Sequence, residues 1–363
     1  MKKSKALMGK ASVLTLIGLA VLGACGGSDS SSNTTEAAST APPASESAPT
    51  ETEAPLELPD KVRIGYQNVP GGLLIVKNQE LLEQALGDGV EVEWLLFDSG
   101  GSVNEAVLAG GVDFGLVGSS PTSRGISTGI EYQVPWIFDV IGEAEALVVK
   151  SDRGIETIAD LKGKTIATPF ASTAHFSLLA ALADAGVPES DVNVIDSEPD
   201  AITAAWQQGD IDGAYVWDPN LSKLKADGAK ILITSKELSE RGKTTYDLAI
   251  VTNEFASKYP QVVQIFVDVN NQAVSIIKND IEAAAKANGL ELNITPEEAK
   301  VQLGGLVFLD AQTQAGADFL GGGLATNLFA AAQFNKAQGK IPDVAAEDAY
   351  RNAVVTTYAQ AAK

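Results

Sequence analysis

The sequence predicts an α/β protein of two similar lobes closed on a cleft and joined by a two-stranded hinge. Three observations carry this expectation. First, Gly110-Gly111-Val112-Asp113-Phe114-Gly115-Leu116-Val117-Gly118-Ser119-Ser120 and Gly209-Asp210-Ile211-Asp212-Gly213-Ala214-Tyr215-Val216-Trp217-Asp218-Pro219 repeat one design: a glycine turn, a short apolar strand, then polar or aromatic residues. Second, the likeness extends upstream, where 62–67 resembles 164–170 and 90–94 resembles 192–195. Third, strands near 147 and 248 carry the chain into the second half and back. The expected lobes are 59–147 with 248–363, and 148–247. Ligands of such sheets sit beyond the carboxyl ends of the strands, so the residues after each strand become the candidate surface.

Each element follows from local pattern. Residues 62–66 alternate as a strand, Gly71-Gly72 turns the chain, and Leu73, Leu74, Val76, Leu81, Leu82 and Ala85 give 73–86 a helical spacing. Gly87-Asp88-Gly89 ends that run, and 90–96 returns to strand. The turn Asp98-Ser99-Gly100-Gly101-Ser102 leads into a helix over 103–109. Serines there cap backbone N–H groups, and the same groups also suit an anion. Strand 112–117 delivers Ser119 and Ser120, with Pro121 fitting the first turn of the next helix. Strands follow at 136–140 and 146–149. The second lobe then reads as strand 165–168, a polar turn and helix from Phe170, and strands 192–195 and 211–216. Strand 246–251 returns to the first lobe, and helical periodicity runs from Pro260 onward, broken by Gly304-Gly305 and Gly321-Gly322-Gly323.

The first 24 residues read as a targeting segment. Lys2, Lys3, Lys5 and Lys10 precede an apolar run over 11–22, which ends in Leu22-Gly23-Ala24-Cys25. That tetrapeptide is the lipobox pattern, and Cys25 is the only cysteine in the chain, so lipidation at Cys25 is expected and an internal disulfide is impossible. The run is short for a membrane span. Residues 25–58 are rich in Ser, Thr, Ala, Glu and Pro, without Lys or Arg, and suit a disordered tether. Removing the leader leaves 22 basic against 47 acidic residues. Nucleic-acid binding, which needs a basic face, is therefore not expected.

The inventory of reactive groups is small. With one histidine, His175, and one cysteine in the lipobox, His-rich zinc sites and Cys–His nucleophiles are excluded. G-x-S-x-G, P-loop and G-x-G-x-x-G motifs are absent. Neither catalysis, a metal nor a cofactor is expected. The candidate ligand contacts are Tyr66, Gln67, Ser119 and Ser120 from the first lobe, and Ser172, Thr173, His175, Tyr215 and Trp217 from the second. Hydroxyls and amides at helix starts suit a small oxyanion. A tryptophan with an acid suits a cationic group on the same ligand. The candidate acids are Asp247 at the hinge and Glu145 before the first crossing. Competing readings stay open: Trp217 as a core or rim aromatic, Ser119 and Ser120 as helix caps, Asp247 and Glu145 as structural acids.

Several stretches together resemble the nitrate/sulfonate/bicarbonate substrate-binding family of ABC importers, in its taurine-binding branch. They are Phe97-Asp98-Ser99-Gly100, Gly118-Ser119-Ser120-Pro121, Glu145-Ala146-Leu147-Val148-Val149, the turn and helix Ser172-Thr173-Ala174-His175-Phe176-Ser177, and Ala204-Ala205-Trp206-Gln207-Gln208-Gly209-Asp210-Ile211-Asp212-Gly213-Ala214-Tyr215-Val216-Trp217. The likeness covers most of 61–260 and returns weakly at Ala332-Gln333-Phe334. It implies a periplasmic-binding-protein-like (type II) clamshell on the extracytoplasmic face of the membrane. It also implies a sulfonate or aminosulfonate ligand and an ABC permease with its ATPase subunits as partners. The ligand contacts it implies are Ser119, Ser120, the 172–175 turn, Trp217 and Asp247. A monomer anchored to the membrane through Cys25 is expected. Ala171, Ala174 and the Thr-Thr-Tyr before Asp247 leave the ligand open among aminosulfonates, with alkanesulfonate, nitrate and bicarbonate as alternatives. A sensory receptor with the same site is a further alternative, as is a pyrimidine-synthesis-type enzyme of the same fold, which the leader and the single histidine disfavour.

Overall fold

Parallel strands need a crossover of a dozen or more residues, and this chain supplies a helix for most of them. The computed structural model describes residues 57–363, so the leader, Cys25 and nearly all of the expected tether lie outside the described residues. The strands are β1 Lys61–Tyr66, β2 Glu91–Leu96, β3 Phe114–Gly118, β4 Tyr132–Ile141, β5 Glu145–Lys150, β6 Thr165–Thr168, β7 Asn193–Asp196, β8 Gly213–Trp217, β9 Ala229–Thr234, β10 Tyr246–Thr252 and β11 Leu306–Val307. They form two sheets, ordered β11-β4-β10-β3-β1-β2 and β7-β6-β8-β5-β9. In the first, β1 runs parallel to β2 and β3, while β10 is antiparallel to β3 and β4. In the second, β6 runs parallel to β7 and β8, while β5 is antiparallel to β8 and β9. Each sheet thus contains one reversed central strand that enters from the other lobe, β10 in the first and β5 in the second, and the first sheet adds the short antiparallel edge strand β11.

Both sheets are covered on both faces, which is why their central strands read as nearly unbroken apolar runs. On β10, Ala249 and Val251 pack toward the helix Pro260–Asn279, while Leu248 and Ile250 face Leu324 and Leu328 of the helix Gly323–Ala337. The second sheet repeats this arrangement. Leu147, Val149 and Tyr215 face the helix Thr173–Asp184, and Ala146, Val148 and Val216 face Ile202 and Trp206 of the helix Pro199–Gln208.

Three local details differ from the sequence expectation. All of β5 is hydrogen-bonded within the second sheet and all of β10 within the first. The chain therefore passes between sheets at Gly142-Glu143-Ala144 and again between Ser239 and Tyr246, a few residues ahead of 147 and 248. Asp247 consequently stands on the first sheet. The helical run 73–86 is two helices, Gly72–Asn78 and Leu81–Leu86, broken where Glu80 takes a left-handed φ of 53°. Strands β9 and β11 were not anticipated: both are edge strands, largely exposed, with little buried apolar periodicity.

Candidate functional site

The two sheets present matching edges to one another. β1 and β3 end, and β10 begins, at one edge of the first sheet; β6 and β8 end, and β5 begins, at one edge of the second. Residues opposite one another on neighbouring strands project to the same face. Register therefore sets Gly118, Asp247 and Asp139 in one row across β3, β10 and β4, and Trp217 beside Glu145 across β8 and β5. Between these rows lies a cavity whose walls include Gln67, Gly118, Glu145, Thr173, Trp217 and Asp247.

One part of the cavity wall is built from helix starts. The helices Gly100–Leu108, Ser119–Ser127 and Thr173–Asp184 begin close together. A Cβ on Gly100 would stand 3.4 Å from the Gly118 nitrogen, and one on Gly118 would stand 2.6 Å from Thr173 Cγ2. First-turn N–H groups have no intrahelical acceptor, and the dipole makes that end positive, so the convergence suits an anion. The serine hydroxyls expected to serve that anion are already engaged. Ser119 Oγ accepts from the Tyr246 N–H at 3.2 Å, and Ser120 Oγ from Asn335 Nδ2 at 3.4 Å. Ser172 Oγ accepts from the His175 N–H at 3.1 Å and donates to the Pro169 carbonyl at 2.6 Å. All three serines are buried, and only Ser172 reaches the cavity wall. Ser119 and Ser120 each accept one bond and keep their own O–H as a donor, but neither lines the cavity.

Acidic groups stand beside these helix starts: Asp247 is the cross-strand partner of Gly118, and Glu145 bonds to Thr173. Glu145, 1% exposed, accepts from Thr173 Oγ1 and Ser235 Oγ at 2.6 Å each and from Ser177 Oγ at 3.4 Å. Burial raises its carboxyl above the ordinary range, and the three hydroxyls pull it partly back. Asp247, half-buried in the wall, is pushed up to about 7 by desolvation and then by the charge of Glu145. Asp139 is held well above its usual value by burial, then by Asp247 and Glu145. Among the described residues, none of the three has a Lys or Arg partner. Asp218, also in the wall, accepts from the N–H and Oγ of Ser222 at 2.9 and 2.6 Å and is locally satisfied.

The remaining candidates fall outside the cavity wall or support it. Gln67 is in the wall, with Nε2 donating to the Leu116 carbonyl at 2.8 Å. Tyr66 turns away from it, edge-on to Trp94 at 6.1 Å and beneath Lys77 Nζ. Tyr215, fully buried, sits in the second-lobe core, and its hydroxyl meets Ser235 Oγ at 3.1 Å, so it touches Glu145 only through that serine. His175 stacks on Phe170, rings 4.4 Å apart, and its Nδ1 accepts from the Ala171 N–H at 3.2 Å. That bond pins Ala171 at a φ of 63°, shaping the turn that carries Ser172 and Thr173. Burial pushes the imidazole down to about 4, so it is neutral at pH 7. Asp139 was missed by the sequence reading, although an acid within Trp136-Ile137-Phe138-Asp139-Val140 was itself a signal.

A two-lobed α/β cleft lined by helix starts and acidic groups defines the class: a solute-binding protein of the periplasmic-binding fold. The chain belongs to the NMT1/THI5-like family, whose profile matches residues 87–284. It is 39% identical to the taurine-binding periplasmic protein of Escherichia coli K12 over 267 residues, 71% of this chain and 81% of that one. It is 33% identical to a putative aliphatic sulfonates-binding protein of Bacillus subtilis, covering 62% and 68% of the two chains. The alkanesulfonate-binding protein SsuA of Xanthomonas axonopodis pv. citri, solved bound to MOPS, superposes with a TM-score of 0.69 at 27% identity, over 80% of this chain and 98% of that one. The desulfurization enzyme DSZB shares the fold alone, at 17% identity and a TM-score of 0.59 over 83% and 99% of the chains. No helix among the described residues is long and apolar enough to cross a membrane.

Proposed function

We propose that this chain is an extracytoplasmic substrate-binding lipoprotein that captures taurine or a related aminosulfonate and delivers it to an ABC permease driven by its ATPase subunits. The observation that carries this reading is the meeting of unlike groups in one cleft: helix-start N–H groups beside carboxyl groups that lack basic partners among the described residues. A sulfonate at the helix starts gains charge-assisted hydrogen bonds from fixed donors. An ammonium at the carboxyl groups neutralises Asp247 and Glu145, with the Trp217 ring as an additional wall. Closure of the lobes around the ligand is then a population shift driven by contacts that only the closed form makes. The 39% identity to the taurine-binding protein of Escherichia coli supports the same ligand class. The lipobox Leu22-Gly23-Ala24-Cys25 supports a lipid anchor, and the monomeric state follows the expectation from the sequence. Substitution of Cys25 by Ser is expected to move the protein from the membrane fraction to the soluble one.

Calorimetry with taurine, ethanesulfonate and nitrate tests the ligand. Taurine should bind far more tightly than ethanesulfonate, which lacks the ammonium. Equal affinities would remove the role given to the acidic groups, and no sulfonate binding would overturn the reading. A bulkier alkanesulfonate is the second reading, favoured by the MOPS-bound relative, and the same titration with MOPS decides it.

A further inference from the structure

Among the described residues, the buried acids are Asp113, Asp139, Glu145 and Asp218, and all but Asp139 are satisfied. Asp113 is gripped by Arg63, Asp218 accepts two bonds from Ser222, and Glu145 accepts from three hydroxyls. Asp139 is 2% exposed, and its Oδ1 has no hydrogen-bond partner. The neighbouring Gly71 backbone, whose Cβ position lies 3.9 Å from Asp139 Oδ2, donates its N–H to Asn288 Oδ1 at 2.7 Å instead. Directly opposite on β10 stands Asp247.

The charged groups that act on Asp139 are Asp247 from β10 and Glu145 from the head of β5. The turn before Gly72–Asn78 offers only the Gly71 backbone, and β11 offers Leu306; neither titratable. Two carboxylates in register, one buried without a donor, cannot both ionise at ordinary cost, because an uncompensated charge in that setting neutralises instead. Such a pair retains one proton, and its titration belongs to the pair.

We propose that Asp139 is a positioning residue that shares one proton with Asp247 in the free protein, and that a ligand ammonium arriving at Asp247 displaces this proton to solvent. The exchange moves one proton from a carboxyl oxygen to water; the ammonium keeps its own three, and no other bond changes. Burial and Glu145 already raise Asp247, and Asp139 opposite it on β4 adds a second carboxyl to the retained proton. With it, capture weakens as the medium acidifies and cationic ligands are selected by their power to replace a proton. This inference rests on the proposed aminosulfonate reading.

The test is calorimetry of taurine binding near neutral pH, in buffers of widely different ionisation enthalpy, on the mature chain and on Asp139→Asn. The intact protein should release about one proton per taurine and D139N clearly less, because burial and Glu145 still act on Asp247 in the variant. The affinity of the intact protein should rise about tenfold per pH unit below the pair's titration, and the rise in D139N should be shifted to lower pH. Tight taurine binding with no proton release in the intact protein overturns the inference and leaves the functional reading standing. Undiminished release in D139N overturns the part given to Asp139. Failure of taurine to bind overturns both.

Discussion

Gly118, at the end of β3, and Thr173, at the start of the helix Thr173–Asp184, meet so closely that a Cβ on Gly118 would stand 2.6 Å from Thr173 Cγ2. Gly118 has a φ of −62°, open to any residue, so the requirement for glycine there is one of approach between lobes. Gly118→Ala should therefore hold the lobes apart without straining its own backbone. Taurine affinity is expected to fall about 10- to 100-fold, because the closed state becomes a smaller fraction of the population. Unfolding of the free protein should change by no more than about 0.5 kcal/mol. Calorimetry and urea unfolding separate the two; a large stability loss with unchanged affinity would contradict the closure argument.

Glu145 is the acceptor for three buried hydroxyls, on Thr173, Ser177 and Ser235. Truncation to Ala leaves those donors unpaired, which costs about 1–3 kcal/mol for each group stranded by removal of its partner. Glu145→Gln keeps an acceptor oxygen and the volume, and removes only the charge. The expected pattern is a clear loss of unfolding free energy in E145A, near-native stability in E145Q, and weakened taurine binding in both. Native affinity in E145Q would show that the charge of Glu145 is not used.

The fold was legible in the sequence because a duplicated strand pattern repeats at the two lobes, and buried parallel strands write themselves as apolar runs. Gln67, Glu145, Ser172, Thr173, Trp217 and Asp247 were legible as cavity residues because they lie at or just past strand ends. Which part of each residue faces the ligand was not legible. A serine after a strand reads as a hydroxyl donor, yet Ser119 and Ser120 use their oxygens to tie Tyr246 and Asn335. Tyr215 alternates with Val216 along β8, and only the packing shows that its face is the core. Asp139 escaped because its partner across the ladder, Asp247, is more than a hundred residues away, and pairing between distant strands is not written locally.

Acidity should act on the free protein in two opposed ways. The folded pKa of Asp247 is about 7 against an ordinary 3.8, so its contribution to stability is present at low pH and is lost as pH rises toward and through 7. His175 has the reverse sign: its folded value of about 4 lies below the ordinary 6.5, so its contribution is present above 6.5 and is lost as pH falls toward 4. The two windows overlap between about 4 and 6.5 with opposite slopes, so urea unfolding of the intact protein should be nearly flat there. Asp247→Asn should leave stability that rises with pH across the interval, and His175→Gln stability that falls. A decline with rising pH that persists in D247N would place the responsible group elsewhere.

The four tryptophans allow the ligand to report its own position. Trp136 and Trp206 are buried in the two lobe cores, and Trp206 Nε1 donates to Asp227 at 2.8 Å. Trp94 donates to Glu83 at 2.8 Å and packs against Tyr66, outside the cavity wall. Trp217 alone lines the cavity, opposite Glu145 on the adjoining strand. A ligand entering the cleft should therefore change tryptophan emission through Trp217, and Trp217→Phe should abolish the signal while preserving the fold. Because an indole holds a cation better than a phenyl ring, and such contacts are worth about 0.5–2 kcal/mol, W217F should also weaken taurine binding by about 2- to 30-fold. Ethanesulfonate, carrying no cation, should lose much less. A W217F protein that keeps the emission change would put the ligand at another tryptophan and outside this cleft. Equal losses for the two ligands would reduce Trp217 to an apolar wall.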